Sequence, residues 1–427
     1  MTAARMVVAI VALGAAALIA LVASAGPVDI DVPVRTVERR LPGLRGLRFR
    51  RAPSVRFVSR SDVERVGGYD AVVKRLPRAD RARLRRLKAE TRITQAIPVV
   101  LGLLPPHLSK KAIEGVVEYG GLYDEFSNRV YLVREAIARD RVQAESVLAH
   151  ELTHALDAQN LGRDRTRFAS PLSDARGAER AVREGSAQIT EYRYDVRYLG
   201  DPGPVSRRLE FAPALPSHSQ LARLAQIELD FVYRFGSRFV LALRQRGGNR
   251  LVDRALRDPP RTTAAVLDPR RWPARDRAHP PAPLPPHALG AGFVRAAGGD
   301  FGALDTAELL AGTGPPPVVD RLTRHWEGGR ISLWRRAGAR FDPSAPSRRT
   351  TAVVIGWRFA RPADAAAARA AVTAYLAGAF RAVPADGGTW RLPDGAAAYA
   401  GRGALAGLAL APTPGLARAA ARAAARP

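Results

Sequence analysis

Residues 150–154 read His-Glu-Leu-Thr-His, inside a run from Ala136 to Asn160 that contains neither Gly nor Pro. Within that run Val147, Leu148, Leu152, Ala155 and Leu156 recur at spacings of three and four, the period of one helical face. Asn160 and Gly162 supply the stop signal. On such a helix His150 and His154 are i and i+4, one turn apart on the same face, so both imidazoles can reach one metal ion. Glu151 follows the first of them and can lean toward the same point without binding. Two neutral nitrogens on a metal, with a carboxylate placed to take a proton from water activated there, is the arrangement of a zinc hydrolase. The competing reading is a buried helix that happens to hold two structural histidines.

A zinc site of this kind needs a third protein ligand. His154 is followed by Ala155, Leu156, Asp157 and Ala158, so no His-x-x-Gly-x-x-His continuation is present. The chain has no Cys, which excludes thiolate ligands. A carboxylate on a second helix remains. The next helical run is Ser173 to Tyr192, with Ser173 or Asp174 as the expected N-cap. It offers Glu179, Glu184 and Glu191. Glu184 is favoured because Gly185 and Ala187 beside it would let this helix approach the first one closely.

These residues carry a resemblance. The stretch from His150 to Gln159, followed by Arg183-Glu184-Gly185-Ser186-Ala187, resembles a group of exported bacterial zincin-like proteins in which a zinc-peptidase motif is paired with a Glu-Gly-x-Ala helix. Gly121 to Asp124 with Arg129 to Val133 resembles the hairpin before the motif helix in that group. Asp258 to Thr263 with Leu267-Asp268-Pro269 resembles a later segment, in which this chain has Asp268 where the family usually has His. His325 to Arg330 and Gly356-Trp357 resemble a C-terminal module. The likeness runs from about Ser54 to the chain end, and only the two ligand motifs are specific. It implies a gluzincin-type site in which His150, His154 and Glu184 bind Zn2+ and Glu151 is the general base of a metallopeptidase acting on a peptide or protein.

Composition bounds the setting. Met6 to Val22 is an unbroken apolar and small-residue run preceded by Arg5 and followed by Ala23-Ser24-Ala25. It reads either as a cleaved signal peptide or as a retained membrane anchor, and both place the rest of the chain outside the cytoplasm. The absence of Cys excludes disulfides and a lipid-modified Cys anchor. The net charge of +27 comes almost wholly from Arg, since Lys74, Lys88, Lys110 and Lys111 are the only lysines. The densest basic cluster, Arg78 to Lys88, falls on an amphipathic helical pattern with little aromatic interleaving. That argues against nucleic acid as the partner and toward loose contact with an anionic membrane or cell-wall polymers.

The expected organisation is α+β: a mostly helical zincin-like domain with a small β-hairpin or sheet over residues 54–272, then a small α+β module over 289–412. Residues 1–25 form the signal or anchor, 26–53 an extended arm, 273–288 a Pro-rich linker with solvated His279 and His287, and 413–427 a mobile Ala/Arg tail. Strands are expected at Val55–Val58, Val116–Tyr119 and Arg129–Val133. Leu221 to Arg246 reads as one long helix ending at Gly247-Gly248. Tyr192, Tyr194, His218 and Arg238 are candidate donors to an oxyanion. Two other function classes stand beside the zinc hydrolase: a catalytically silent exported scaffold that keeps the metal, and a basic envelope-binding protein whose C-terminal module does the work.

Overall fold

The computed structural model describes residues 32–427 except 60, 63–64, 66–72, 109–119, 138–140, 201–219 and 312–315. The apolar run Met6–Val22, the expected strand at 116–119 and His218 lie outside these residues. Among the described residues no helix is long and apolar enough to cross a membrane.

The fold is α+β, as expected, and its strands fall into two sheets. In the smaller sheet β3 (Arg129–Val133) lies between β1 (Ser54–Val58), which runs parallel to it, and β2 (Gly121–Asp124), which runs antiparallel. The β2–β3 turn is closed by Asp124, whose carboxylate accepts from the Phe126 amide and the Ser127 hydroxyl at 3.0 and 2.6 Å. Asn128 takes the left-handed conformation there, which Asn tolerates well.

Residues 26–53 were expected to form an extended arm, and the structure corrects this. Val34–Arg45 is a helix, α1, closed by Gly46 in the left-handed conformation. Val37, Leu41 and Leu44 are buried at i, i+4 and i+7, so a helical apolar stripe was present beneath the Pro and Arg content. The stripe packs into one core with the sheet and with the motif helix, α4 (Arg141–Leu161). Between them lie α2 (Arg78–Thr94), which confirms the basic helix, and the short α3 (Ala96–Val100). Ile97, Val100 and Leu101 pack into the core of the second sheet rather than around the motif helix, so the two expected domains share chain segments.

The Glu184 helix, α5 (Asp174–Tyr194), is followed by a π-helical turn at Asp195–Leu199. Ser173 makes no side-chain cap, and Asp174 accepts instead from the Thr263 amide and hydroxyl at 3.0 and 2.6 Å. The expected long helix over Leu221–Arg246 is present without a break and carries a π-helical stretch in its middle. It comprises α6 (Gln220–Leu229), a π-helical stretch Asp230–Phe235, and α7 (Gly236–Arg257), which kinks at Gly247-Gly248 but continues beyond them.

The second sheet is antiparallel, in the order β4-β5-β6-β10-β9-β8-β7. Its strands are β4 (Phe293–Asp300), β5 (Trp326–Arg336), β6 (Thr351–Phe359), β7 (Val383–Ala385), β8 (Thr389–Leu392), β9 (Gly395–Arg402) and β10 (Leu405–Ala411). One face carries α8 (Pro362–Phe380) and the larger core, in which Trp326, Trp357 and Tyr375 are buried. The Pro-rich stretch 273–288 is strapped to the sheet rather than free. The His279 amide donates to Glu327 O at 2.6 Å and Arg330 Nε donates to Pro281 O at 2.9 Å, while His279 and His287 themselves are exposed as expected.

The tail expected to be mobile is a helix, α9 (Pro414–Ala424), capped by the Thr413 hydroxyl. Ala417, Ala420, Ala421 and Ala424 are buried against the second face of the sheet. Alanine serves here because the sheet opposite is also side-chain-poor: a Cβ added at Gly407 would lie 2.1 Å from Ala421 O. The backbones touch directly, so the burial needs no large residue. Gly407→Val is expected to lower stability by about 1–3 kcal/mol by overpacking. Trypsin should then cut faster than in the wild type at Arg418 and Arg422, both on this helix.

Candidate metal centre

The motif helix is buried on all sides around the site, and most of its polar groups there find partners. Burying such groups is costly unless they are satisfied. Asp157 accepts from Arg45 Nε and from the Ser186 hydroxyl, both at 2.7 Å. Gln159 ties the helix to the hairpin, donating to Asn128 Oδ1 at 2.9 Å and accepting from the Arg50 amide at 2.8 Å. Ser146 sits 2.9 Å from Glu191 Oε1.

His150, His154 and Glu184 converge. Their facing atoms form a triangle: Nε2 to Nε2 is 3.1 Å, His150 Nε2 to Glu184 Oε2 is 3.3 Å, and His154 Nε2 to Glu184 Oε2 is 3.7 Å. A tetrahedral zinc with bonds of about 2.0–2.1 Å sets its ligand atoms about 3.3–3.4 Å apart. The three residues are the one group of His and carboxylate side chains of metal-binding geometry among the described residues. Of the three carboxylates weighed on α5, Glu184 is the one that reaches both imidazoles. Glu179 turns away to Arg183 and to the amides of Arg165 and Thr166.

Glu191 has a different place. It lies two turns beyond Glu184 on the same face and accepts from His150 Nδ1 at 2.8 Å. With Nδ1 as the donor, His150 Nε2 presents a lone pair toward His154 and Glu184. Acceptor atoms aimed at one point in a buried site draw a positive charge between them, a proton or a metal ion. The ionisation of the residues says the same. Burial disfavours a charged His150, but hydrogen bonds to Glu184 and Glu191 and the charges of Glu191 and Glu151 outweigh it and push its pKa up to about 10. Burial likewise opposes a charged Glu184, and the two imidazoles outweigh it, holding that carboxyl at about 2. His154 is pushed down by burial. Glu184 Oε1 is buried and finds no hydrogen-bond partner among the described residues. The residues present therefore fit a divalent cation: two imidazoles and one carboxylate are a donor set that zinc accepts.

Glu151 packs beneath β2. A Cβ at Gly121 would lie 2.7 Å from Glu151 Cγ and 3.1 Å from its Oε1, so this strand passes over the carboxylate only because residue 121 is glycine. Strand β2 is one of the two edges of its sheet among the described residues, the other being β1.

Gly185 does not do what was expected of it. Its close neighbour is Gly236 at the start of α7, not the motif helix: a Cβ at Gly185 would lie 2.3 Å from Gly236 O. Successive helical side chains are about 100° apart, so when Glu184 faces the motif helix Gly185 must face another neighbour. Among the expected oxyanion donors, Tyr194 is engaged with Glu145 and Arg40, and Arg238 is exposed beside Phe235. The hydroxyl-bearing ring next to the cluster is Tyr233, with its centroid 6.5 Å from that of His150. It was missed because it lies in the π-helical stretch, whose wider turn shifts every later side chain relative to an α-helical reading. Asp268, the position where the resembled family has His, pairs with the neighbouring Arg270 at 2.8 Å.

The Glu191–His150 contact leads to a measurable expectation. A carboxylate behind a metal-binding imidazole fixes its tautomer and raises its basicity. Glu191→Gln is expected to weaken zinc binding by about 10–100-fold, read by competition with a chromophoric chelator. No protein-family model, curated protein or solved structure matches this chain.

Proposed function

We propose that this protein is a zinc-dependent hydrolase, a gluzincin-like metallopeptidase that works outside the cytoplasm. The observation that carries the reading is the triangle of His150 Nε2, His154 Nε2 and Glu184 Oε2, whose edges of 3.1, 3.3 and 3.7 Å match those of one tetrahedral centre. The neighbouring Glu151, the edge strand β2 and the apolar run Met6–Val22 support the activity and its location.

Zinc held there would supply Lewis acidity and a water acidified to near neutrality. Glu151 would take a proton from the attacking water and later pass it to the leaving amine. Strand β2 offers its free backbone groups to an extended peptide, placing a carbonyl above Glu151. Glu191 holds the His150 ring in the tautomer that leaves Nε2 free. Tyr233, beside His150, stands as the donor to the developing oxyanion.

The first test is metal content. Purified protein is expected to carry one zinc per chain by elemental analysis, and His154→Ala and Glu184→Ala are each expected to carry almost none. Wild-type protein without stoichiometric zinc, after incubation with the metal, sinks the reading. A silent zincin-like scaffold is the second reading. It is favoured by burial, since Glu151 and Glu184 are both 0% exposed. Hydrolysis of a peptide library separates the two.

A further inference from the structure

The charge of this protein is not spread evenly where α5 ends. Arg193 is in the last turn of that helix, and Val196 and Arg197 lie in the π-helical turn that follows. Helix α7 packs beside α5 and brings Arg244 near Arg193, with Leu241 three residues earlier on the same side of α7. Helix α1 completes the surface: Arg40 stacks over the Tyr198 ring at 4.5 Å, Arg197 approaches the same ring at 5.6 Å, and Arg193 donates to Leu44 O.

Two features make this face unusual. Among the described residues Arg193, Arg197 and Arg244 form no ion pair with a carboxylate, and they crowd one another. Burial and then the charges of Arg244 and Arg197 both disfavour a charged Arg193. Such repulsion is relieved by an external anion. In addition, Val196 is 50% exposed and Leu241 43% exposed, two of the four exposed large hydrophobic residues among those described. Branched apolar side chains set among arginines suit an interface in which phosphates lie above and acyl chains below.

We propose that the face formed by Arg193, Arg197 and Arg244 with Val196 and Leu241 docks on an anionic phospholipid bilayer. A polyphosphate polymer would neutralise the arginines but give the apolar pair no partner. The twelve residues from Val22, the end of the apolar run, to Val34, the start of α1, span at most about 40 Å. A bilayer that holds that run is therefore within reach of α1 and of the face beside it. Arg193 lies nine residues beyond Glu184 on one helix, which puts the candidate metal centre about 14 Å along the helix from the docked face. Substrates close to a membrane surface would be presented to it. The docking does not depend on whether that centre hydrolyses anything.

The chain has no Cys, so Val196→Cys in the full-length protein takes a single environment-sensitive fluorophore. The protein is mixed with vesicles of phosphatidylcholine alone or of equal parts phosphatidylcholine and phosphatidylglycerol, each carrying spin-labelled lipid. The expected result is quenching and a blue shift in the anionic vesicles only. Arg197→Gln and Arg244→Gln should each lower the docking equilibrium about fivefold, with circular dichroism unchanged. A fluorophore at Val383→Cys, on the distant β7, should be unquenched. The proposal is overturned by an unquenched probe at residue 196 or by equal quenching in zwitterionic vesicles. It is equally overturned by equal quenching at residue 383, by no loss in the arginine variants, or by a probe that responds to poly(glycerol phosphate) and not to vesicles.

Discussion

Glu151→Gln is expected to retain one zinc per chain and to lose peptide hydrolysis by about 10²–10⁴-fold, the usual contribution of a positioned general base. The substitution is nearly isosteric. Strand β2 at Gly121 leaves no room for a Cβ above the Glu151 side chain, so a larger replacement of Glu151 would disturb β2, whereas a glutamine fills the same space. Glu151 is not among the three candidate ligands, so that donor set is left whole. What glutamine lacks is a site that accepts a proton at neutral pH. Zinc content and circular dichroism should therefore match the wild type while turnover collapses. If turnover stays within threefold of wild type, Glu151 is not the base. If the wild type itself cleaves nothing in a broad peptide library while holding zinc, the silent scaffold is the better account.

Arg45→Met is expected to cost about 3–5 kcal/mol of stability. Arg45 is 3% exposed, and it joins three helices: its Nε donates to Asp157 on the motif helix at 2.7 Å, and its Nη1 pairs with Asp253 on α7 at 2.8 Å. Methionine matches the aliphatic stem but leaves two carboxylates in the interior with no counter-charge, and removing one partner of a buried pair is far costlier than never burying it. Asp157 lies three residues beyond His154, so disturbance there reaches the ligand helix directly. Urea unfolding at saturating zinc measures the loss. Adding Asp157→Asn to Arg45→Met should recover part of it, because one of the two stranded charges is then gone. A loss below about 1 kcal/mol, or no recovery in the double variant, would show that Arg45 only fills space.

The case of Arg45 shows where reading along the chain stops. Residues 26–53 look like an arm because Pro and Arg dominate their composition, yet the apolar stripe Val37-Leu41-Leu44 lay within them at helical spacing. The tail was misread for a related reason. Alanine is a weak signal of burial on its own, and its place in the core became evident only opposite Gly407, seven positions before the helix starts. The π-helical stretch Asp230–Phe235 leaves no mark in hydrophobic period over so few residues, and Tyr233 was overlooked with it. The strands β1 and β3 and the helices α2, α4 and α5 were legible, because each shows a clear period bounded by turn or stop residues.

His150, Glu151 and His154 follow from sequence alone, because an i, i+4 pair is brought together by the helix itself and needs no tertiary contact. The α+β class follows in the same way, from local periods. Glu184 could be favoured but not separated from Glu179 and Glu191, since a ligand on a second helix is chosen by the rotation of that helix against the first. That rotation is set elsewhere, by the backbone contact of Gly185 with Gly236 and by the Ser186–Asp157 hydrogen bond. Tertiary packing therefore decided which carboxylate joins the histidines, which one orients His150 from behind, and which strand edge lies over Glu151. Each is a long-range relation whose energy comes from close packing and buried charge, and neither depends on nearness along the chain.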